Sequence, residues 1–163
     1  RMQSSAASVK DHVLDIEVAG EAYYRKLAKE SPAPLDDIFN RLADEEHQHH
    51  DTLERAFAGG DIPVLPTSDI VDRMHTIVAN IENAHAVPRT DGMKSLLEVY
   101  AAARDMEARN RDHYLRLAEA EVNPETRRLW EFLASEEDKH YMALDEMVRF
   151  VLSTDVWFQG MAR

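Results

Sequence analysis

A Glu-x-x-His motif occurs twice in this sequence, and its repetition constrains the fold more than any other feature. The first copy consists of Glu46 and His49, and the second, 91 residues later, of Glu137 and His140. On an α-helix a spacing of three residues means a rise of about 4.5 Å and a rotation of about 60°, so both side chains project from one face. A carboxylate and an imidazole on one face suit iron, manganese or zinc. Each motif is therefore a candidate pair of metal ligands.

A second repeat precedes each motif and indicates two copies of a helix pair. The segment Asp15-Ile16-Glu17, followed by Tyr24, recurs as Asp105-Met106-Glu107, followed by Tyr114, at an offset of 90 residues. In each copy the first helix carries a Glu with a Tyr seven residues later, and the second helix carries Glu-x-x-His. The sequence therefore predicts four main helices in two related halves.

The repeat also selects ligands among the many acidic residues and histidines. Glu17 is paired with Glu107, whereas its neighbour Glu21 is paired with Arg111, a cation that does not match a ligand. The predicted metal ligands are Glu17, Glu46, His49, Glu107, Glu137 and His140. The remaining histidines have no histidine counterpart, and we expect them at the surface: His12, His47, His50, His75, His85 and His113. An alternative role for His50, on the Glu46 side of its helix, is to support a ligand.

An alternative interpretation places the four glutamates at the surface in salt bridges. Against it, each falls among apolar residues of the predicted bundle-facing stripe, as Glu17 does beside Ile16 and Glu46 after Leu42. Four buried carboxylates without compensation would be prohibitive for folding. Two divalent cations carry an equal and opposite charge, so we expect a site for two metal ions.

One Glu from each of two helices and Glu-x-x-His from each of two others is the ligand set of di-iron and di-manganese carboxylate bundles. From about Val9 to Phe150 the sequence resembles the rubrerythrin and ferritin-like family. The resemblance implies an all-α, antiparallel four-helix bundle that binds two iron ions, with manganese or zinc as alternatives. It implies two bridging glutamates and two end pairs: Glu46 and Glu137 bridge, and Glu17 with His49 and Glu107 with His140 complete the ends. Which His serves which metal is left open.

Three further residues carry functional expectations. Tyr24 and Tyr114 are either core aromatics or phenols that orient a carboxylate on a neighbouring helix, and the resemblance favours the second role. Where rubrerythrins proper carry a further Glu three residues after the ligand of the third bundle helix, this chain has Asn110. That difference counts against rubrerythrin-type peroxidase chemistry and favours a ferroxidase site with four Glu and two His.

The resemblance implies a di-iron oxidoreductase that oxidises Fe(II) with dioxygen or hydrogen peroxide, in iron handling or oxidative-stress defence. The alternatives are a non-catalytic iron storage or delivery subunit, a peroxidase that needs an external electron donor, and a bundle with a structural metal such as zinc. The sequence contains no cysteine, which excludes disulfides and a rubredoxin module in these 163 residues. We expect a homodimer or larger homo-oligomer.

The net charge and the hydropathy of the sequence limit the kinds of partner that we expect the chain to bind. The formal net charge of −12 argues against binding to nucleic acid or to an anionic membrane surface. The sequence has no run of 18 apolar residues and no charged-then-apolar leader, so it predicts neither a membrane span nor an export signal. We therefore expect a cytoplasmic protein.

Breaks in the helical pattern divide the sequence into its predicted helical segments. We expect one domain over residues 1–163, with helix pair one at about 5–58, a crossover containing a short helix at 61–89, helix pair two at about 91–152, and a short C-terminal helix at 154–163. The breaks are the Pro-rich run 31–34, Gly59-Gly60 and Asn123-Pro124, the last of which reads as a helix N-cap followed by a proline.

Overall fold

A computed structural model of the chain describes residues 2–83 and 93–161, which form five helices and no strand. The helices are α1 (Met2–Glu30), α2 (Leu35–Phe57), α3 (Ile70–Asn83), α4 (Met93–Ala120) and α5 (Pro124–Met161). The first pair, α1 with α2, and the second pair, α4 with α5, form the bundle, while α3 packs on α5 and α2. The prediction of an all-α, ferritin-like bundle is confirmed. The predicted extent of the domain stays a prediction.

The turns that set the ends of α2 are those predicted from the sequence. The Pro-rich run ends α1 at Glu30, and Asp36 and Asp37 lie in the first turn of α2, where negative side chains suit the helix dipole. The helix ends because Gly59 adopts a positive φ of 80°. The Gly60 N–H then donates to the Arg55 carbonyl at 2.9 Å, which satisfies one of the free carbonyl groups of the last turn.

The start of α5 confirms the predicted cap, but its end corrects a prediction. The Asn123 side chain accepts hydrogen bonds from the N–H groups of Glu125 and Thr126, at 2.9 and 3.2 Å. A helix end near Leu152 and a separate C-terminal helix at 154–163 were predicted, and both are wrong, because α5 continues to Met161. No proline interrupts this stretch, and the hydroxyl of Ser153 donates back to the carbonyl one turn earlier, within the helix.

Cross-helix contacts show that α1 and α4 are antiparallel. Tyr24 of α1 contacts Glu107 of α4. Tyr114 lies seven residues after Glu107, and it contacts Glu17, which lies seven residues before Tyr24. Since α2 is antiparallel to α1, α4 runs parallel to α2, and the connection between them returns along the bundle. This connection contains α3, whose Ile70, Met74 and Ile81 are buried. The part of the predicted crossover at 84–89 lies outside the described residues.

Two apolar clusters fill the bundle, and a polar layer lies between them. One cluster contains Phe39, Leu42, Tyr100 and Met147, among others, and packs under α3. The other includes Val13, Leu53, Leu129, Trp130 and Leu133. Within residues 2–83 and 93–161, no helix is long and apolar enough to cross a membrane.

Candidate metal centre

The polar layer contains all six predicted ligands, and each is at most 3 % exposed. They come from the four bundle helices: Glu17 from α1, Glu46 and His49 from α2, Glu107 from α4, and Glu137 and His140 from α5. Because apolar residues precede and follow the layer on every helix, the packing of both clusters fixes the positions of these side chains. The interpretation of these glutamates as surface salt-bridge partners is therefore wrong.

The ligand atoms form two groups, and within each group they lie within 4.8 Å of one another. Both groups contain Glu46 and Glu137; we call the group completed by Glu17 and His49 site A, and the group completed by Glu107 and His140 site B. The two shared carboxylates thus lie where the bridging residues were expected, and the structure pairs each histidine with one end glutamate.

Both histidines direct the same ring nitrogen into the layer. His49 Nδ1 lies 3.5 Å from an oxygen of Glu17 and 3.5 Å from one of Glu137. His140 Nδ1 lies 3.3 Å from Glu46 Oε1. The ring centroids are 5.8 Å apart, with planes inclined by only 14°. The two imidazoles therefore flank the carboxylates in equivalent orientations, as the sequence repeat requires.

The layer contains buried polar atoms that lack hydrogen-bond partners, which is the feature expected of an empty set of metal ligands. Seven such atoms belong to the six residues: Glu17 Oε2, Glu46 Oε1, His49 Nδ1, Glu107 Oε2, both Glu137 carboxylate oxygens and His140 Nδ1. Buried groups of this kind are costly unless they bind a partner. Oxygen and imidazole nitrogen atoms suit iron, manganese and zinc, so the residues fit two such cations.

The pKa values of the shared glutamates and of the end glutamates are shifted in opposite directions. Burial raises the pKa of Glu46 and of Glu137 well above the ordinary value, and repulsion from neighbouring carboxylates raises it further. Burial acts in the same direction on Glu107, but the close approach of Glu137 and of the His140 ring outweighs it and lowers the pKa to about 2. Glu17 likewise has a lowered pKa, because hydrogen bonds outweigh its burial. The shared pair therefore holds protons more firmly than the end glutamates do.

Each of the two tyrosines donates a hydrogen bond to an end glutamate across the bundle. The Tyr24 hydroxyl donates to Glu107 Oε1, and the Tyr114 hydroxyl donates to Glu17 Oε1 at 2.5 Å. Burial and the adjacent negative carboxylates raise the pKa of both phenols well above the ordinary value, so both stay protonated. The contact geometry matches the expected orienting role, and each pair links the two halves of the chain.

Gly20 is a site residue that the sequence reasoning missed. A Cβ atom at this position would lie 3.3 Å from Glu46 Cδ and 3.4 Å from its Cγ. The residue comes three positions after Glu17 and corresponds in the repeat to Asn110, which is half-buried. The signal was therefore present, since position i+3 from a helical ligand faces the same way.

We expect Gly20→Ala to weaken metal binding by roughly tenfold, comparable to the loss of a group that orients a ligand, while the metal-free protein becomes no less stable. The added methyl group presses on Glu46 and displaces its carboxylate, whereas alanine within a helix is favoured over glycine by about 0.5–1 kcal/mol. Metal titration and thermal unfolding of the chelated protein measure the two effects.

The matched control for this variant is Gly59→Ala, which has no atom near its Cβ but a positive φ. It should lower stability, because a side chain disfavours this backbone conformation, and leave metal affinity unchanged. Equal metal affinity of Gly20→Ala and wild type would show that the Glu46 side chain binds metal as well when a methyl group occupies position 20.

Glu45 and Glu136 are buried as well, and the sequence reasoning did not select them. They precede Glu46 and Glu137 at the same offset of 91 residues, so the repeat contained the signal. Residues adjacent on a helix point about 100° apart, which is why neither joins the ligand groups.

The remaining polar candidates lie outside the layer. His47, expected to be solvated, is exposed and contacts Glu21 at 3.1 Å, while the equivalent pair in the second half is Arg111 with Asp138 at 2.8 Å. His50 is partly exposed and lies near Asp51 and Glu54 at the surface.

Three further histidines had been expected at the surface, and two of them are exposed. His75 contacts Glu146 at 2.6 Å, and the exposed His12 contacts the ring of His113 edge to face. His113 itself is half-buried, and burial lowers its pKa. The prediction for His85 lies outside the described residues.

Comparisons with known proteins agree with this architecture. The sequence model of the family described as Rubrerythrin matches residues 13–148, which include all six predicted ligands. A search of curated proteins gives no match. A solved structure of a hypothetical protein from Pyrococcus furiosus is similar, with a TM-score of 0.65, 20 % sequence identity and 86 % of each chain covered. At that identity the likeness concerns the fold.

Proposed function

The chain belongs to the rubrerythrin family, and from this premise we propose that it is a di-iron oxidoreductase that oxidises Fe(II) with dioxygen or hydrogen peroxide. Its role would be in iron handling or oxidative-stress defence. The observation that carries the proposal is the pair of ligand groups sharing Glu46 and Glu137, with unpartnered atoms on both histidines. Two bridging carboxylates hold two cations close enough to act on one oxidant molecule.

The side chains of the layer would have three separate roles. Glu46 and Glu137 would be shared by both metals and would release any bound protons on metal binding. The end glutamates would bind one metal each, and Tyr24 and Tyr114 would hold them in orientation through their hydroxyl groups. When bound, the iron ions supply the redox chemistry that these side chains lack. The apolar clusters on both sides exclude bulk water from the layer.

Asn110 supports an oxidase of the four-Glu, two-His type over a peroxidase. It lies one turn after Glu107 and provides an amide where rubrerythrins proper have a carboxylate. The site therefore has one negative charge fewer than a seven-ligand centre. We also propose a homo-oligomer and a cytoplasmic location, and only the alternative, a peroxidase, would need an external electron donor.

We expect the purified chain to oxidise Fe(II) in air much faster than buffer alone, and Glu107→Ala to reduce the rate to nearly that of buffer. The assay follows ferric iron by its near-ultraviolet absorbance, with dioxygen and with hydrogen peroxide in parallel. Glu21→Ala, which changes a surface carboxylate of α1, is the matched control and should retain the wild-type rate. Binding of iron without faster oxidation would contradict the proposed activity and favour storage or delivery.

A further inference from the structure

Glu45 and Glu136 occupy equivalent positions in the two halves, yet their carboxylates have different partners. Both are buried, at 5 % and 2 % exposure. Glu45 Oε1 lies 3.5 Å from His140 Nε2, across the interface between α2 and α5. Glu136 instead accepts hydrogen bonds from the Ser68 N–H at 3.1 Å and from Lys139 at 2.8 Å. Among the described residues, Glu136 makes no hydrogen bond or ion pair with His49.

The contact with Glu45 favours the tautomer of His140 whose inward-facing nitrogen can bind a metal. A neutral imidazole carries its proton on one nitrogen, and the other nitrogen offers a lone pair. Nδ1 of His140 faces Glu46 within site B, and Nε2 faces Glu45. A carboxylate beside Nε2 keeps the proton there, leaves the Nδ1 lone pair for the metal, and makes the ring a stronger ligand.

The ring of His49 has a different environment on its outer side. It lines a cavity of about 260 Å³ between α2, α5 and the loop at 65–69. Glu45 and Glu136 also border this cavity, whose volume is several times that of one water molecule. No side chain among the described residues makes a hydrogen bond or ion pair with His49 Nε2. The histidine of site A is therefore the one that borders a space continuous with the loop surface.

We propose that Glu45 is a positioning residue that makes site B the tighter of the two metal sites, and that site A, bordered by the cavity, fills second and exchanges first. The inference rests on the proposed function, because both sites must bind metal. It adds that two sites built from one repeated motif are unequal, and it traces the inequality to one carboxylate.

Stepwise anaerobic titration of the metal-free chain with Co²⁺, whose visible spectrum reports its ligands, tests the proposal. The wild-type chain should bind Co²⁺ in two steps. The affinities of the two steps should differ by roughly 10–100-fold, the usual effect of a carboxylate that hydrogen-bonds a histidine ligand. His140→Ala should remove the tight step, and His49→Ala the weak one. Two equal steps in wild type would overturn the inference and leave the proposed function intact, whereas no binding at all would overturn the proposed function.

Two alanine variants separate Glu45 from its counterpart. Glu45→Ala should weaken the tight step until the two steps merge, and Glu45→Gln, which keeps an acceptor oxygen, should restore part of the difference. Glu136→Ala is the matched control and should leave both affinities unchanged. An equal effect of both alanine variants would contradict the proposal, because it would reflect the general loss of a buried charge.

A purely structural role for Glu45 would act through Arg41, whose Nε lies 3.4 Å from Glu45 Oε2. Arg41→Gln removes this ion pair and keeps the contact with His140, so the two steps should stay apart. If Arg41→Gln merged the steps as Glu45→Ala does, the positioning role would be wrong. Nitrogen-15 NMR of the zinc-loaded chain adds a direct measurement, since the Nε2–H of His140 should exchange slowly with water in wild type and rapidly in Glu45→Ala.

Discussion

Replacement of either Glu46 or Glu137 by alanine will abolish binding of both metal ions. Each carboxylate belongs to both ligand groups, so its loss removes a ligand from site A and from site B together. We expect affinity at both sites to fall by at least about 100-fold, the upper end of the effect of losing a group that only orients a ligand. Metal analysis after dialysis measures the number of ions retained.

The controls for this experiment are residues that the repeat excludes. His50→Ala and Glu21→Ala should retain two metals, because neither side chain reaches the buried layer. Retention of two tightly bound metals by Glu46→Ala would show that the shared carboxylates do not bridge. Loss of metal from His50→Ala, with His49→Ala unaffected, would show that the alignment of the two halves is wrong.

Bound metal will raise the melting temperature strongly at pH 7 and not at pH 4.5. At a free metal concentration of 100 times Kd, each site adds about 2.7 kcal/mol to the free energy of unfolding. For a chain of this length, that corresponds to roughly 5–10 °C per site. At pH 4.5 protons compete with metal for the ligands, metal is released, and the chelated and loaded samples should melt alike.

The metal-free protein should have its own pH dependence. The pKa values of Glu46 and Glu137 are raised on folding, so their contribution to stability is fully present below about pH 4.5 and is lost as pH rises through the raised values. His140, whose pKa is raised by hydrogen bonds with carboxylates despite its burial, acts in the same direction.

Glu17 and Glu107 have lowered pKa values, so their contribution is lost only in acid, as pH falls towards about 2 for Glu107. The melting temperature of the chelated sample should therefore fall between pH 5 and pH 8, and the gap from the loaded sample should widen. Thermal melts of both samples across this pH range measure this gap in melting temperature. A gap that narrows with rising pH would contradict the assignment of protons to the shared glutamates.

The repeat allowed much of the candidate site to be predicted. A ligand position has to satisfy two conditions, namely helical spacing within a motif and a matching residue in the other half, and these conditions distinguish Glu17 from Glu21 and His49 from His50. The hydrogen bonds of Tyr24 and Tyr114 belong to one of the two roles that the sequence left open, and the family resemblance favoured that role. Fold class followed from the ligand set, because one layer of carboxylates from four helices requires a bundle.

The contacts that could not be predicted involve segments that pack against the bundle from outside its four helices. Glu45 and Glu136 point away from the ligand layer, and a helix pair alone would leave them in solvent. The loop before α3 covers this face, and its Ser68 N–H binds Glu136. No periodic pattern encodes that contact. The end of α5 was predicted near Leu152, yet no proline breaks the helix there, and it continues to Met161.

Anaerobic titration of the metal-free chain with Fe(II) tests the central claim most directly. The buried layer offers four carboxylates and two imidazoles in two groups that share two members, so binding should saturate at two Fe(II) per chain. Under the same conditions Glu137→Ala should bind none tightly. Saturation at two in wild type, lost in that variant, is the predicted result; saturation at one or zero, or an unchanged endpoint in Glu137→Ala, would contradict a two-metal centre built on shared glutamates.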